Sequence, residues 1–249
     1  VYQRDFERLE RIKKSCKICQ GSGYKQTRLK GGSIRLDQCR CAIRIEREGK
    51  LIEANIPMAH RRWTLGDLNQ DFRNRNPTAV RQVQKYIAEL DHNIELGKGF
   101  WFCGPPGTAK SSIICAILKK AIEKNYRPYY DTAAHLVSLR FQDMSGDGEA
   151  KAILKNIMHD CHIVAIDEID KRDLGQNKQY RNITFPDRLF YELLADLYNY
   201  QVPLMVSSNT HRDELEETLP SWIRDRFKSL TTVPLLVKSG RRDFTKDNG

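Results

Sequence analysis

The pattern of apolar and polar positions divides the chain into two regions. From Trp63 onward short apolar runs recur: Phe100-Trp-Phe-Cys103, Arg127-Pro-Tyr-Tyr-Asp131, Cys161-His-Ile-Val-Ala-Ile-Asp167, Pro203-Leu-Met-Val-Ser-Ser-Asn209 and Thr231 to Val237. Continuous runs of this length predict strands buried on both faces, as in a parallel sheet. Between them the spacing turns helical. Pro77 to Leu96 carries Val80, Val83, Ile87 and Leu90 on one face, Ser112 to Lys119 follows the first run, and a helix through Leu136, Leu139 and Phe141 precedes a Gly-rich turn at Ser145-Gly-Asp-Gly148 and a further helix to His159. Strands alternating with helices predict a doubly wound α/β domain.

The pattern before Trp63 is different. Tyr2, Phe6, Leu9 and Ile12 form one stripe of a helix over residues 2–14, either a docking surface or a face packed on the protein's own next module. A hairpin with paired thiols at each end follows, then a basic helix over residues 42–49, and Pro57 is expected to end regular structure. These changes place the boundary between a small domain, residues 1–56, and a larger one, residues 57–249.

Gly104-Pro-Pro-Gly-Thr-Ala-Lys-Ser111 lies between the first apolar run and a helix. A buried strand, a tight turn of small residues and a helix N-terminus together aim several N–H groups and a positive dipole end at one point, which suits a triphosphate. In the pattern G-x-x-x-x-G-K-[ST], Lys110 reaches the β- and γ-phosphates and the Ser111 hydroxyl sits on Mg²⁺; Gly104, Gly107, Thr108, Ala109 and Ser112 complete the loop. Ala109 stands where the second glycine is expected. It is expected to keep a helical φ and to add a methyl group where the backbone approaches phosphate, which weakens or slows nucleotide binding.

About 50 residues on, the run ending in Asp167-Glu168 reads as a Walker B segment. Strand alternation is expected to send Asp167 and Glu168 in different directions, so that one holds Mg²⁺ through water and the other orients the attacking water. The run ending at Asn209 delivers an amide to the same sheet edge, where it can polarise that water and sense the γ-phosphate. In Leu219-Pro-Ser-Trp-Ile-Arg-Asp-Arg-Phe227, Arg224 and Arg226 cannot both face inward. One is expected to reach a neighbouring subunit's nucleotide, the alternative being an ion pair with Asp225, Glu216 or Glu217. Trp63 or Leu65 lines an adenine pocket or simply packs in the core.

Charge separates the two regions again. Of a net +10, residues 1–62 hold 16 Lys/Arg against 7 Asp/Glu, and the remainder 26 against 25. The basic front suits phosphate backbones or an acidic partner surface, although solubility alone explains such an excess equally well. Cys16-x-x-Cys19 and Cys39-x-Cys41 have the spacing of a closed tetrahedral zinc site. Two disulfides are the alternative, against which Cys39-x-Cys41 is poorly spaced to bridge itself. Cys103, Cys115 and Cys161 lie in apolar runs and read as core thiols. No apolar run approaches a membrane span and residues 2–8 do not form a signal peptide, so a cytoplasmic protein with no membrane partner is expected. Position 1 is Val, so the numbering is compatible with a start inside a longer chain. The polar, mostly basic segment Asp170 to Arg181 contains Lys171, Arg172, Lys178, Tyr180 and Arg181, a set suited to following a single strand by phosphate contacts and base stacking, or to a solvated loop.

With phosphate loop, Walker B, asparagine and arginine in that order, the chain resembles an AAA+ ATPase, specifically the DnaC/DnaI type of replicative helicase loader of bacteria and phages. Cys-x-x-Cys-x-Gly-x-Gly, Cys-x-Cys, Asn55-Ile-Pro57 and Trp63-Thr-Leu resemble the zinc-bearing front by which such loaders grip the helicase. The resemblance implies an AAA+ parallel sheet with helices on both faces and no helical lid. It also implies nucleotide roles for Lys110, Ser111, Asp167, Glu168 and Asn209, and an arginine finger at Arg226 ahead of Arg224. ATP, Mg²⁺ and Zn²⁺ are the implied cofactors; a hexameric helicase, single-stranded DNA and an ATP-dependent homo-oligomer are the implied partners. Alanine at position 109 is similar to MoxR-type loops, which implies competent binding. Two rivals remain: an IstB/TnsC-type transposition ATPase acting on double-stranded DNA, and a nucleotide-binding adaptor that never turns over.

Overall fold

In a computed structural model the described residues are 2–169, 185–210 and 231–238. They form two compact units, Val1–Ile56 and Pro57–Gly249. The first contains α1 (Tyr2–Lys14), a hairpin of β1 (Tyr24–Arg28) and β2 (Ile34–Gln38), and α2 (Arg40–Glu53). The helical stripe of α1 is split: Ile12 packs against the cysteines, while Phe6 is exposed. Arg8 pairs with Glu48 across α1 and α2 at 3.6 Å.

The second unit opens with α3 (Met58–Arg61), a 3₁₀ turn at Leu65–Asp67, α4 (Gln70–Arg75), α5 (Pro77–Ala88) and α6 (Leu90–Glu95). Pro57 does not simply end structure. Its fixed φ, here −57°, caps the start of α3. The single helix expected over Pro77 to Leu96 is also two helices. At Glu89 the backbone leaves helical geometry (φ −103°, ψ 26°), and the freed Tyr86 carbonyl accepts from the Asn93 amide at 3.2 Å. The buried face is accordingly Ala79, Val83, Tyr86 and Leu90, with Val80 and Ile87 only partly covered.

The sheet has the order β4-β5-β6-β3-β7, and every pairing is parallel. Its strands are β3 (Gly99–Cys103), β4 (Pro128–Thr132), β5 (Ile163–Asp167), β6 (Leu204–Ser208) and β7 (Thr231–Leu236). The connecting helices are α7 (Lys110–Glu123), α8 (Ala133–Met144), α9 (Gly148–His159) and α10 (Phe185–Asn199). Strand alternation divides the core. Trp101, Val164, Ile166, Leu204 and Val206 pack with Leu136, Ile157 and Phe190 of α8–α10, whereas Phe100 turns the other way onto Tyr86 of α5, with ring centroids 4.7 Å apart. Among the described residues no helix is long and apolar enough to cross a membrane.

Candidate nucleotide site and cysteine cluster

The parallel sheet brings the carboxyl ends of β3, β5 and β6 side by side, and the chemistry-bearing residues lie just beyond them. After Cys103 the chain makes its turn at Gly104, where φ is +153°. A Cβ there would stand 2.2 Å from the carbonyl oxygen of Val237, the residue that follows β7, so only glycine fits. The Thr108 hydroxyl donates to the Pro105 carbonyl at 2.8 Å, folding the loop on itself.

Ala109 is the N-cap of α7, with φ +60° and ψ 14°. The helical φ expected for it is therefore not adopted. The position demands the left-handed conformation that glycine takes without penalty, and alanine bears steric strain there. Ala109→Gly is expected to stabilise the second unit by about 1 kcal/mol. Denaturant unfolding followed by tryptophan fluorescence would check this, because all 3 tryptophans, Trp63, Trp101 and Trp222, lie beyond residue 56.

The Lys110 ammonium is buried, lying over the loop. It donates to the Gly104 carbonyl at 2.7 Å, the Pro105 carbonyl at 3.0 Å and the Asn209 side-chain oxygen at 2.9 Å. Loop lysine and β6 asparagine are thus in direct contact although 99 residues separate them. Ser111 is partly exposed at the start of α7, and the Ser112 hydroxyl lies 3.3 Å from His60 Nδ1.

Asp167 and Glu168 differ more than strand alternation would make them. Asp167 is the last residue of β5 and is buried. Its Oδ1 accepts from the Ser207 hydroxyl and its Oδ2 from the Tyr130 hydroxyl. Glu168 lies past the strand with φ +53°, so its direction is set by a left-handed turn as well as by the pleat of β5. The Glu168 N–H donates to Ser207 Oγ at 2.9 Å, so one serine ties the backbone of Glu168 to the carboxylate of Asp167. Burial, and next the Asp167 charge, push the Tyr130 phenol well above its usual range, which keeps it a donor. Burial likewise raises Cys115, and lifts Cys161 to about 12, in keeping with inert core thiols.

Tyr130, Ser207 and Lys119 were not anticipated. The signal for each was a polar group inside an apolar run. The buried Lys119 ammonium donates to the carbonyls of His60 (2.7 Å), Arg61 (3.3 Å) and Trp63, fastening the segment before the 3₁₀ turn to α7. Beside it, Leu65, Leu68, Val80, Val83 and Ile113 line a cavity of about 230 Å³ with Arg73, whose guanidinium donates to the Leu65 and Leu68 carbonyls. Leu65 therefore stands at an apolar cavity whose Ile113 is three residues along α7 from Lys110, while the Trp63 carbonyl belongs to the clamp. Lys171, Arg172, Lys178, Tyr180, Arg181, Arg224 and Arg226 lie outside the described residues.

In the first unit β1 and β2 pair Tyr24 with Gln38, and the ladder continues outward as Cys39 N–H donates to the Gly23 carbonyl at 2.8 Å. This closes the two cysteine pairs on each other. All four sulfurs lie within 4.8 Å of one another, Cys16 to Cys39 at 3.7 Å and Cys19 to Cys41 at 3.2 Å. Those separations exclude disulfides and approach the roughly 3.8 Å edge of a tetrahedron with 2.3 Å Zn–S bonds. The Cys41 thiol hydrogen bond is the largest influence lowering Cys19 to about 6, and the same bond raises Cys41 to about 12. The donor set, four thiols with three of them buried, fits zinc.

Over residues 40–225 the chain matches the sequence model of the IstB-like ATP binding protein family. It belongs to that family. No curated protein matches the sequence of this IstB-like protein. Among solved structures it is similar to DnaI (20% identity, 75% of this chain and 94% of that chain, TM-score 0.56). It is also similar to the DnaC helicase loader (18% identity, 68% and 100%, TM-score 0.52) and to AMPPCP-bound DnaA from Aquifex aeolicus (16% identity, 73% and 51%, TM-score 0.52). At these identities the IstB-like protein shares their AAA+ core fold.

Proposed function

We propose that the protein is an ATP-controlled loader that places a replicative helicase on single-stranded DNA. The observation that carries the nucleotide part is the meeting of Lys110 with Asn209 beside the buried Asp167 and the adjoining Glu168. In this reading Lys110 and the loop N–H groups bind the triphosphate, the cavity at Leu65 takes the base, and Ser111 with Asp167 holds Mg²⁺. The metal neutralises phosphate charge when bound. Glu168 accepts a proton from the attacking water, Asn209 orients that water, and Arg226 of a neighbouring copy bridges to the γ-phosphate. ATP binding stabilises the assembly and hydrolysis releases it.

The helicase-binding role falls to the front unit. Support comes from its excess of basic residues and from one hairpin face on which Tyr24, Ile34 and Leu36 are exposed together with Arg28. The segment from Asp170 to Arg181 is assigned to the DNA strand. Binding to labelled single- and double-stranded DNA of equal length, at fixed salt and with Lys110→Ala as control, tests the reading. Single-strand preference that requires both ATP and Lys110 is expected. Duplex preference with filament formation would replace it with a transposition ATPase, a reading favoured by the family match itself.

A further inference from the structure

The Tyr130 hydroxyl donates to Asp167, a carboxylate assigned to magnesium, and this bears on how the metal enters. Tyr130 is on β4, where its neighbour in register on β5 is Ala165, and its ring is buried beneath the carboxyl edge of the sheet. From there the phenol donates to Asp167 Oδ2. A single hydroxyl thus occupies one oxygen of the Walker B carboxylate. The other Asp167 oxygen is already engaged by Ser207, which is in turn fixed by the Glu168 N–H.

We propose that Tyr130 is an internal competitor of the divalent cation, a positioning residue whose hydroxyl holds Asp167 Oδ2 and must release it before that carboxylate serves metal and nucleotide. The inference rests on the assignment of a nucleotide site at Lys110. Two observations give it physical content. First, a cation held through water at Asp167 needs a carboxylate oxygen to accept from that water, and Oδ2 already accepts from the phenol while Oδ1 accepts from Ser207. Second, a hydrogen bond to a carboxylate in a buried setting is among the stronger kinds, so releasing it sets a threshold that metal binding has to exceed. Tyr130 therefore lowers the benefit that Mg²⁺ brings to nucleotide binding while leaving the loop's own grip on phosphate untouched. It keeps the site from closing on metal without a triphosphate to compensate the lost bond.

The test is Tyr130→Phe, which keeps the buried ring and removes only the hydroxyl. Affinity for a fluorescent ATP analogue is measured in EDTA and in saturating Mg²⁺, for the unsubstituted full chain and the variant. In EDTA the two proteins are expected to agree within about twofold, whereas in Mg²⁺ the variant binds about five- to tenfold more tightly, the size of one charge-assisted hydrogen bond. A ring that merely fills space would move neither arm, and an equal Mg²⁺ effect in both proteins would overturn the proposal. So would weaker Mg²⁺-dependent binding by the variant, which would make the hydroxyl an aid to the metal. If the unsubstituted protein bound nucleotide under neither condition, the nucleotide reading itself would fall and the proposal with it.

Discussion

Glu168→Gln is expected to bind ATP within about twofold of the unsubstituted protein and to lose at least about 100-fold in phosphate release, the usual contribution of a positioned general base. The two carboxylates at the end of β5 divide their tasks by environment. Asp167 is buried and each of its oxygens accepts from a hydroxyl, so its carboxylate is fixed in place. Glu168 is partly exposed and its backbone is held in a left-handed turn by Ser207. Glutamine preserves size and leaves the turn unchanged but cannot take a proton. Multiple-turnover phosphate release and a fluorescent-ATP titration on the same sample separate the two effects. Equal turnover by both proteins would move the base elsewhere. Tight binding with no release even by the unsubstituted protein would favour the non-hydrolysing adaptor.

Removal of zinc is expected to unfold residues 1–56 and leave the second unit intact. The front unit has little apolar core of its own: its buried residues include Cys19, Cys39 and Cys41 beside Leu51 and Ala54, so the sulfurs are a large part of what it buries. Domains this small commonly need a metal or a cross-link to remain folded. Purified protein should carry about one zinc ion per chain. Chelation or Cys39→Ser should abolish protease resistance and helical signal from the front, while tryptophan fluorescence and ATP binding, which report the second unit, stay unchanged. A front that keeps its resistance without metal would reduce the cluster to four adjacent thiols.

The parts of this molecule that follow from spacing were the legible ones. Apolar runs located all five sheet strands to within a residue or two, and the paired cysteines announced their convergence because a hairpin must return its two ends to the same place. Local backbone choices were less visible. Nothing in Pro77 to Leu96 marks Glu89 as the end of a helix, since the break depends on the Asn93 side chain capping a carbonyl seven residues earlier. The conformation of Ala109 was misjudged because its side chain suggests a helix start while its position in the loop imposes a left-handed one. Tyr130, Ser207 and Lys119 could not be assigned partners from the sequence, because each partner lies across the sheet or tens of residues away.

The order of strands also governs when the phosphate loop can exist during synthesis. β3 leaves the ribosome early, yet its two neighbours are β6 and β7, whose residues begin at Leu204 and Thr231. Until β6 has emerged the strand that carries the loop is open on both edges, and until β7 has emerged one edge stays open and Gly104 lacks the Val237 backbone against which it turns. At ordinary elongation rates that interval is on the order of ten seconds. The nascent chain therefore carries an apolar strand with an unfilled edge throughout the synthesis of the stretch from Gly104 to Leu236, and the loop takes its final form only when β7 joins the sheet.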